Sequence, residues 1–149
     1  MHSKDTVEGQ LDTEPAQSRN WGAIGLVGGV VLLTLATAYI HSTLGGLLFT
    51  LNALGYTTLA IAMVVPIRLA ERFRWLVRLG LLGFTLATIG GWILFGARYD
   101  VAYLSKGIEA ALVALLLVSI FRFDGGPAGV VARLRALPAD LMGLVRGDR

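Results

Sequence analysis

The chain has 149 residues, 55% hydrophobic and only 15% charged, with a formal net charge of +3 and no cysteine; its mean hydropathy is +0.69. A soluble domain carries about 25% charged residues and a disordered one combines low hydrophobicity with high charge, so the composition argues against the first and excludes the second. The missing cysteines exclude a disulfide scaffold, a thiolate nucleophile, an iron–sulfur cluster and a cysteine zinc site.

Residues 1–20 are polar and mixed in charge, with Lys4 and Arg19 against Asp5, Glu8, Asp12 and Glu14. They read as a flexible cytosolic tail. Residues 21–67 then contain no charged side chain, which is too long for one span, because about 20 apolar residues cross the roughly 30 Å hydrocarbon core. The chain must fold back once, and the polar break His41, Ser42, Thr43 followed by Gly45 and Gly46 is the place for it. This predicts spans over 21–40 and 44–67, the second closed by Pro66 and Arg68. Two further apolar runs over 75–97 and 101–121 are separated by Arg98, Tyr99 and Asp100. The expected fold is all-α, a polytopic membrane protein with a four-transmembrane-helix bundle over 21–121, since backbone groups in lipid must be satisfied within their own helix. Ala36-Thr37-Ala38 resembles a signal-peptidase site, but the preceding acidic residues make a poor leader, so all four spans are expected to remain.

Basic residues fall between the second and third spans (Arg68, Arg72, Arg74, Arg78) and after the fourth (Arg122, Arg133, Arg135, Arg146). The bias of Lys and Arg toward the cytoplasm predicts both termini inside, in an inner or plasma membrane. In the tail over 122–149, Val130, Leu134, Leu137, Leu141, Leu144 and Val145 recur at three- and four-residue steps, broken at Pro138. That spacing suits an amphipathic helix in the headgroup layer, with Arg133, Arg135 and Arg146 toward anionic lipid.

Gly25 with Gly29 in the first span, and Gly80 with Gly83 in the third, are candidates for close helix packing. On the second helix, Gly45, Phe49, Asn52 and Tyr56 share a face that should look into the bundle. Asn52, the only amide in any span, is expected to bond Thr34, Thr37, Thr88 or the Trp92 indole. The fourth span carries Tyr103, Lys106 and Glu109 on one stripe. Ionisable residues in a membrane are functional candidates, and Glu109 falls at about the depth of Asn52. However, only residues 110–121 of this span are free of charge, which favours a start near Gly107, with Lys106 and Glu109 as a snorkelling pair at the interface.

His2 and His41 lie at opposite ends of the expected topology, so no two-histidine haem or metal site is expected, and no cofactor. Phosphate-loop, zinc-protease, nucleophile-elbow and dinucleotide motifs are missing, and the Arg cluster is explained by topology rather than nucleic acid. Thr-Leu-Ala-Thr occurs at 34–37 and 85–88, a hint of two hairpin repeats. Glu71-Arg72-Phe73-Arg74 resembles in part the Glu-Arg motifs of small four-helix enzymes that conjugate glutathione to lipids, without their downstream Asn. Small multidrug exporters carry their Glu in the first helix, where this chain has no charge. Neither family is assigned. The function expected from sequence is non-enzymatic association in the lipid bilayer, as accessory subunit to other membrane subunits or as a homo-oligomer. The alternative is a small transporter or channel using Glu109, Lys106, Asn52 and His41.

Overall fold

The computed structural model describes residues 20–146 and is all-helical over them. Six helices follow one another: α1 (Trp21–Thr43), α2 (Leu47–Val64), α3 (Arg68–Arg72), α4 (Arg74–Phe95), α5 (Asp100–Phe123) and α6 (Gly126–Arg146). Four of them, α1, α2, α4 and α5, are long and apolar enough to cross a membrane, at 23, 18, 22 and 24 residues. The expected tail over 1–20 lies, apart from Asn20, outside the described residues.

Each boundary has a local cause. Asn20 caps α1 by accepting the Ala23 N–H at 3.1 Å. Gly45 and Gly46 have φ of 70° and 87°, a region L side chains avoid, and they reverse the chain into α2. Pro66 ends α2 by forcing Val65 into extended geometry, φ −60° and ψ 125°. Residues 68–72, expected as loop, form the short rim helix α3. Asp100 sits in the first turn of α5, where a carboxylate complements the helix dipole. Pro138 does not interrupt α6, contrary to expectation; the helix runs through it. Pro138 and Leu134, whose carbonyl loses its partner, are both exposed, so the lost bond falls on the open side of the helix.

The spans pack in a ring, α1 against α2 and α5, and α4 against α5 and, over the shortest stretch, α2. Val30, Tyr56, Met63, Leu81, Leu112 and Leu116 fill its centre, each at most 1% exposed. The packing glycines differ from those expected. Gly29 meets Leu115, where a Cβ would stand 3.1 Å from Cδ1, and Gly80 makes ordinary contact with Leu59, but Gly25 and Gly83 face open space. The tight approach is at Gly55, where a Cβ would lie 2.7 Å from Phe84 Cζ. A small-residue stripe packs only where a neighbour crosses it, and that crossing point is not written in the stripe.

One end of the bundle is pinned by charge. Arg78 of α4, 7% exposed, donates from Nη1 to both Asp124 oxygens at 2.7 and 2.9 Å. Its guanidinium lies 4.9 Å over the Phe123 ring, and Arg133 of α6 reaches the same carboxylate at 3.6 Å. Arg72 and Asp140 pair at 2.7 Å on the surface. Arg122 donates to Asn20 at 2.9 Å, so the start of α1 and the end of α5 share this end.

Candidate functional site

The other end of the bundle holds a polar layer built by three helices. Glu109 of α5, about 13 Å along the helix from Asp100 at 1.5 Å per residue, is fully buried at 0% exposure. Burial of an unpaired carboxylate is prohibitive, and donors close around this one. Lys106 Nζ, one turn back, donates to Oε1 at 2.8 Å and Oε2 at 2.7 Å. Thr88 of α4 donates from Oγ1 to Oε2 at 2.9 Å, and the Ser105 hydroxyl lies 3.4 Å from Oε1. The pair is therefore enclosed by the bundle, with Thr88 of α4 and Ser105 supplying further donors to the carboxylate.

His41, in the last turn of α1 and 3% exposed, completes the layer. Its Nδ1 is 2.9 Å from the Thr37 carbonyl, which can only accept, so the proton sits on Nδ1. Nε2 then faces Glu109 Oε1 at 3.7 Å. The Thr88 hydroxyl also lies 2.8 Å from the Thr85 carbonyl; with its one proton given to the charged acceptor, Glu109, the Tyr56 hydroxyl donates to Thr88 Oγ1 at 2.8 Å. Tyr56 is held by the His41 ring at 5.7 Å and by the edge of Phe84 at 4.9 Å.

Beside this layer lies a cavity of about 420 Å³, within the range of small-molecule sites. It is a slot between α2 and α4, with α5 at its side. Leu48, Phe49 and Asn52 form one wall; Phe84, Ala87, Thr88, Gly91, Trp92 and Phe95, a stripe at three- and four-residue steps, form the other. His41, Ser105 and Lys106 lie at its polar end. The mouth is apolar: Leu48 is 68% and Phe95 89% exposed. Arg98 stacks on Trp92 at 4.2 Å at the rim. Beyond the polar layer the core residues close the bundle, so the slot is blind.

Of the residues singled out from sequence, Glu109, Lys106 and His41 come together, and Asn52 lines the adjoining slot. Asn52 makes no side-chain hydrogen bond among the described residues, so the expected bonds to Thr34, Thr37, Thr88 or Trp92 are not formed. Thr34 turns instead to its own helix, donating to the Val30 carbonyl. Tyr103, on the Lys106 stripe, is exposed and packs edge-on against Trp92 at 5.3 Å. Arg133 bonds the Phe123 carbonyl at 3.4 Å, while Arg135 and Arg146 are exposed. Ser105 was not anticipated, although its i, i+4 relation to Glu109 was a legible signal. The Arg78–Asp124 pair was also missed, since it joins α4 to the turn after α5, 46 residues away. Among the described residues no group of three or more His, Cys, Asp or Glu could hold a metal ion.

Comparison of the chain with protein-family models, with curated proteins and with solved structures finds no match.

Proposed function

We propose that the chain is a membrane protein that binds a small lipophilic molecule in the slot between α2 and α4, as the outward-open site of a small carrier. The observation behind this is the fully buried Glu109, held by Lys106, Thr88 and Ser105 and faced by His41, at the polar end of an apolar-mouthed cavity. A stability-driven bundle gains little from a desolvated ion pair beside a void, whereas ligand sites combine apolar walls with a few convergent polar groups. The apolar rim, at Leu48 and Phe95, suits loading from the bilayer. On this proposal the chain is not an enzyme.

Gly91 supplies the test. It lines the slot, and a Cβ there meets nothing within 4 Å, so Gly91→Leu places its side chain in the cavity and leaves the polar residues themselves unchanged. Lipid extracts of the purified parent and variant, compared by mass spectrometry, are expected to differ by a lipophile enriched in the parent alone. Identical extracts would refute the proposal.

The accessory-subunit or homo-oligomer reading has one observation in its favour. A second groove of about 420 Å³ on the outside of α1 and α2, between Leu35, Tyr39, Thr50 and Leu54, is open and apolar, and suits a helix of another subunit or of a second copy. For topology we place the Arg78 end in the cytoplasm of an inner or plasma membrane, with both termini inside, because Arg68, Arg72, Arg74, Arg122 and Arg133 gather there. On α6, Val131, Leu134, Leu141, Met142 and Val145 are exposed. With Arg135 and Arg146 they suit a helix lying in an anionic headgroup layer.

A further inference from the structure

We infer that the slot takes a lipophilic weak acid as its anion, and that each anion bound brings one proton, held between His41 Nε2 and Glu109 Oε1. This rests on the ligand-binding proposal above and specifies its ligand.

The first argument is the sign of the groups that face the slot. Lys106, His41, Ser105, Thr88 and Asn52 line it, whereas Glu109 does not; the one carboxylate is wholly buried behind them. An entering molecule therefore meets an ammonium and neutral hydrogen-bonding groups. Cations are repelled, while an acceptor-bearing head can take a Lys106 proton now directed weakly at the Thr88 carbonyl, 3.4 Å away. Asn52, with no partner of its own among the described residues, adds a free amide to the same wall.

Charge balance is the second argument. Lys106 and Glu109 already neutralise each other at 2.7 Å. An anion beside Lys106 leaves one net negative charge in a membrane-embedded, low-dielectric site, which is strongly unfavourable unless it is compensated. The position for compensation is built in. His41 Nδ1 is committed to the Thr37 carbonyl, so Nε2 is the vacant position, and it faces Glu109 across 3.7 Å. A proton from water taken up there restores neutrality, and no bond other than that N–H or O–H is made. The other ionisable groups cannot serve as well. Tyr56 of α2 is engaged with Thr88, α4 faces the layer with Thr85 and Thr88, and Arg98 at the rim is held by the Ile93 carbonyl and the Trp92 ring. The site thus handles the acid in net neutral form, the form that crosses a bilayer core at least cost.

The test uses the full-length protein in nanodiscs, with 2-naphthoate and its neutral analogue 2-naphthamide as probes, by titration calorimetry in phosphate and in Tris. Naphthoate is expected to bind with about one proton taken up, read from the difference between buffers, and to weaken about tenfold per pH unit above neutrality, as one-proton linkage requires. His41→Gln, which keeps a donor but cannot titrate, is expected to reduce that uptake and flatten the pH slope. Lys106→Met is expected to lose naphthoate and retain naphthamide. Naphthoate binding without proton uptake, or an unchanged slope in His41→Gln, overturns the inference. So does binding of naphthamide alone, and if Gly91→Leu still abolishes that binding the slot itself stands. Failure of both probes to bind the parent, or binding indifferent to Gly91→Leu, overturns the binding proposal as well.

Discussion

Removing Lys106 should be far more damaging than removing its partner. In Lys106→Met the side-chain volume is nearly kept, but Glu109 loses contacts at 2.7 and 2.8 Å and retains only the Thr88 and Ser105 hydroxyls and a neutral His41. Its side chain has 0% exposure, so it cannot turn to water, and at a pH high enough that no proton is taken up beside His41 the uncompensated buried charge costs about 3–5 kcal/mol. In Glu109→Gln the group left behind is Lys106, 13% exposed, whose flexible stem can swing its ammonium into the slot. The amide oxygen keeps the bond from Thr88 while its NH2 can donate to the Ser105 hydroxyl, and the expected cost is about 1–2 kcal/mol. The double variant removes both charges together and should fall within about 1–2 kcal/mol of the parent, since an ion pair replaced as a unit is often nearly neutral. The cycle therefore predicts a coupling energy of about 2–6 kcal/mol. It is measured by reversible unfolding in mixed micelles followed by tryptophan fluorescence. Lys106→Met within about 1 kcal/mol of the parent, the usual worth of an exposed pair, would refute the buried placement.

At the other end, Asp124→Ala strands Arg78 in a site where it is 7% exposed, and should cost about 3–5 kcal/mol in the same assay. Asp140→Ala, which breaks only the exposed Arg72 pair, should cost less than about 1 kcal/mol. Gly55→Ala drives a methyl into Phe84 and should destabilise by about 1–3 kcal/mol, while Gly83→Ala enters open space and should stabilise by up to about 1 kcal/mol through helix propensity; equal effects would contradict the packing described. Reporter fusions after residue 149 and in the turn at Ser42 should report opposite sides of the membrane, the C-terminal one cytoplasmic. A C-terminal reporter active outside reverses the orientation.

The number and limits of the spans were legible because they depend on one-dimensional quantities: the length of charge-free sequence, glycines at a reversal, a proline that the preceding residue must accommodate. The span over 21–40 extends in the structure to Thr43 and that over 44–67 contracts to 47–64, since caps and φ constraints, not hydropathy, set the last turn. The depth of Lys106 and Glu109 was not legible. Counting charge-free residues on α5 alone places the pair at the interface, because hydropathy treats each helix as if it stood alone in lipid. Thr88 on α4, whose hydroxyl helps make the buried position tolerable, and His41 at the end of α1 approach only when the ring closes. Asn52 shows the converse: it reaches the slot, but the partners assigned to it are engaged elsewhere, Thr34 with the Val30 carbonyl, Thr88 with Glu109 and Tyr56, and the Trp92 indole with the Ala97 carbonyl. The slot exists only once α2 and α4 are set side by side, where Gly55 seats against Phe84 and Tyr56 bonds Thr88, an outcome of side-chain size at a single crossing that no periodicity records.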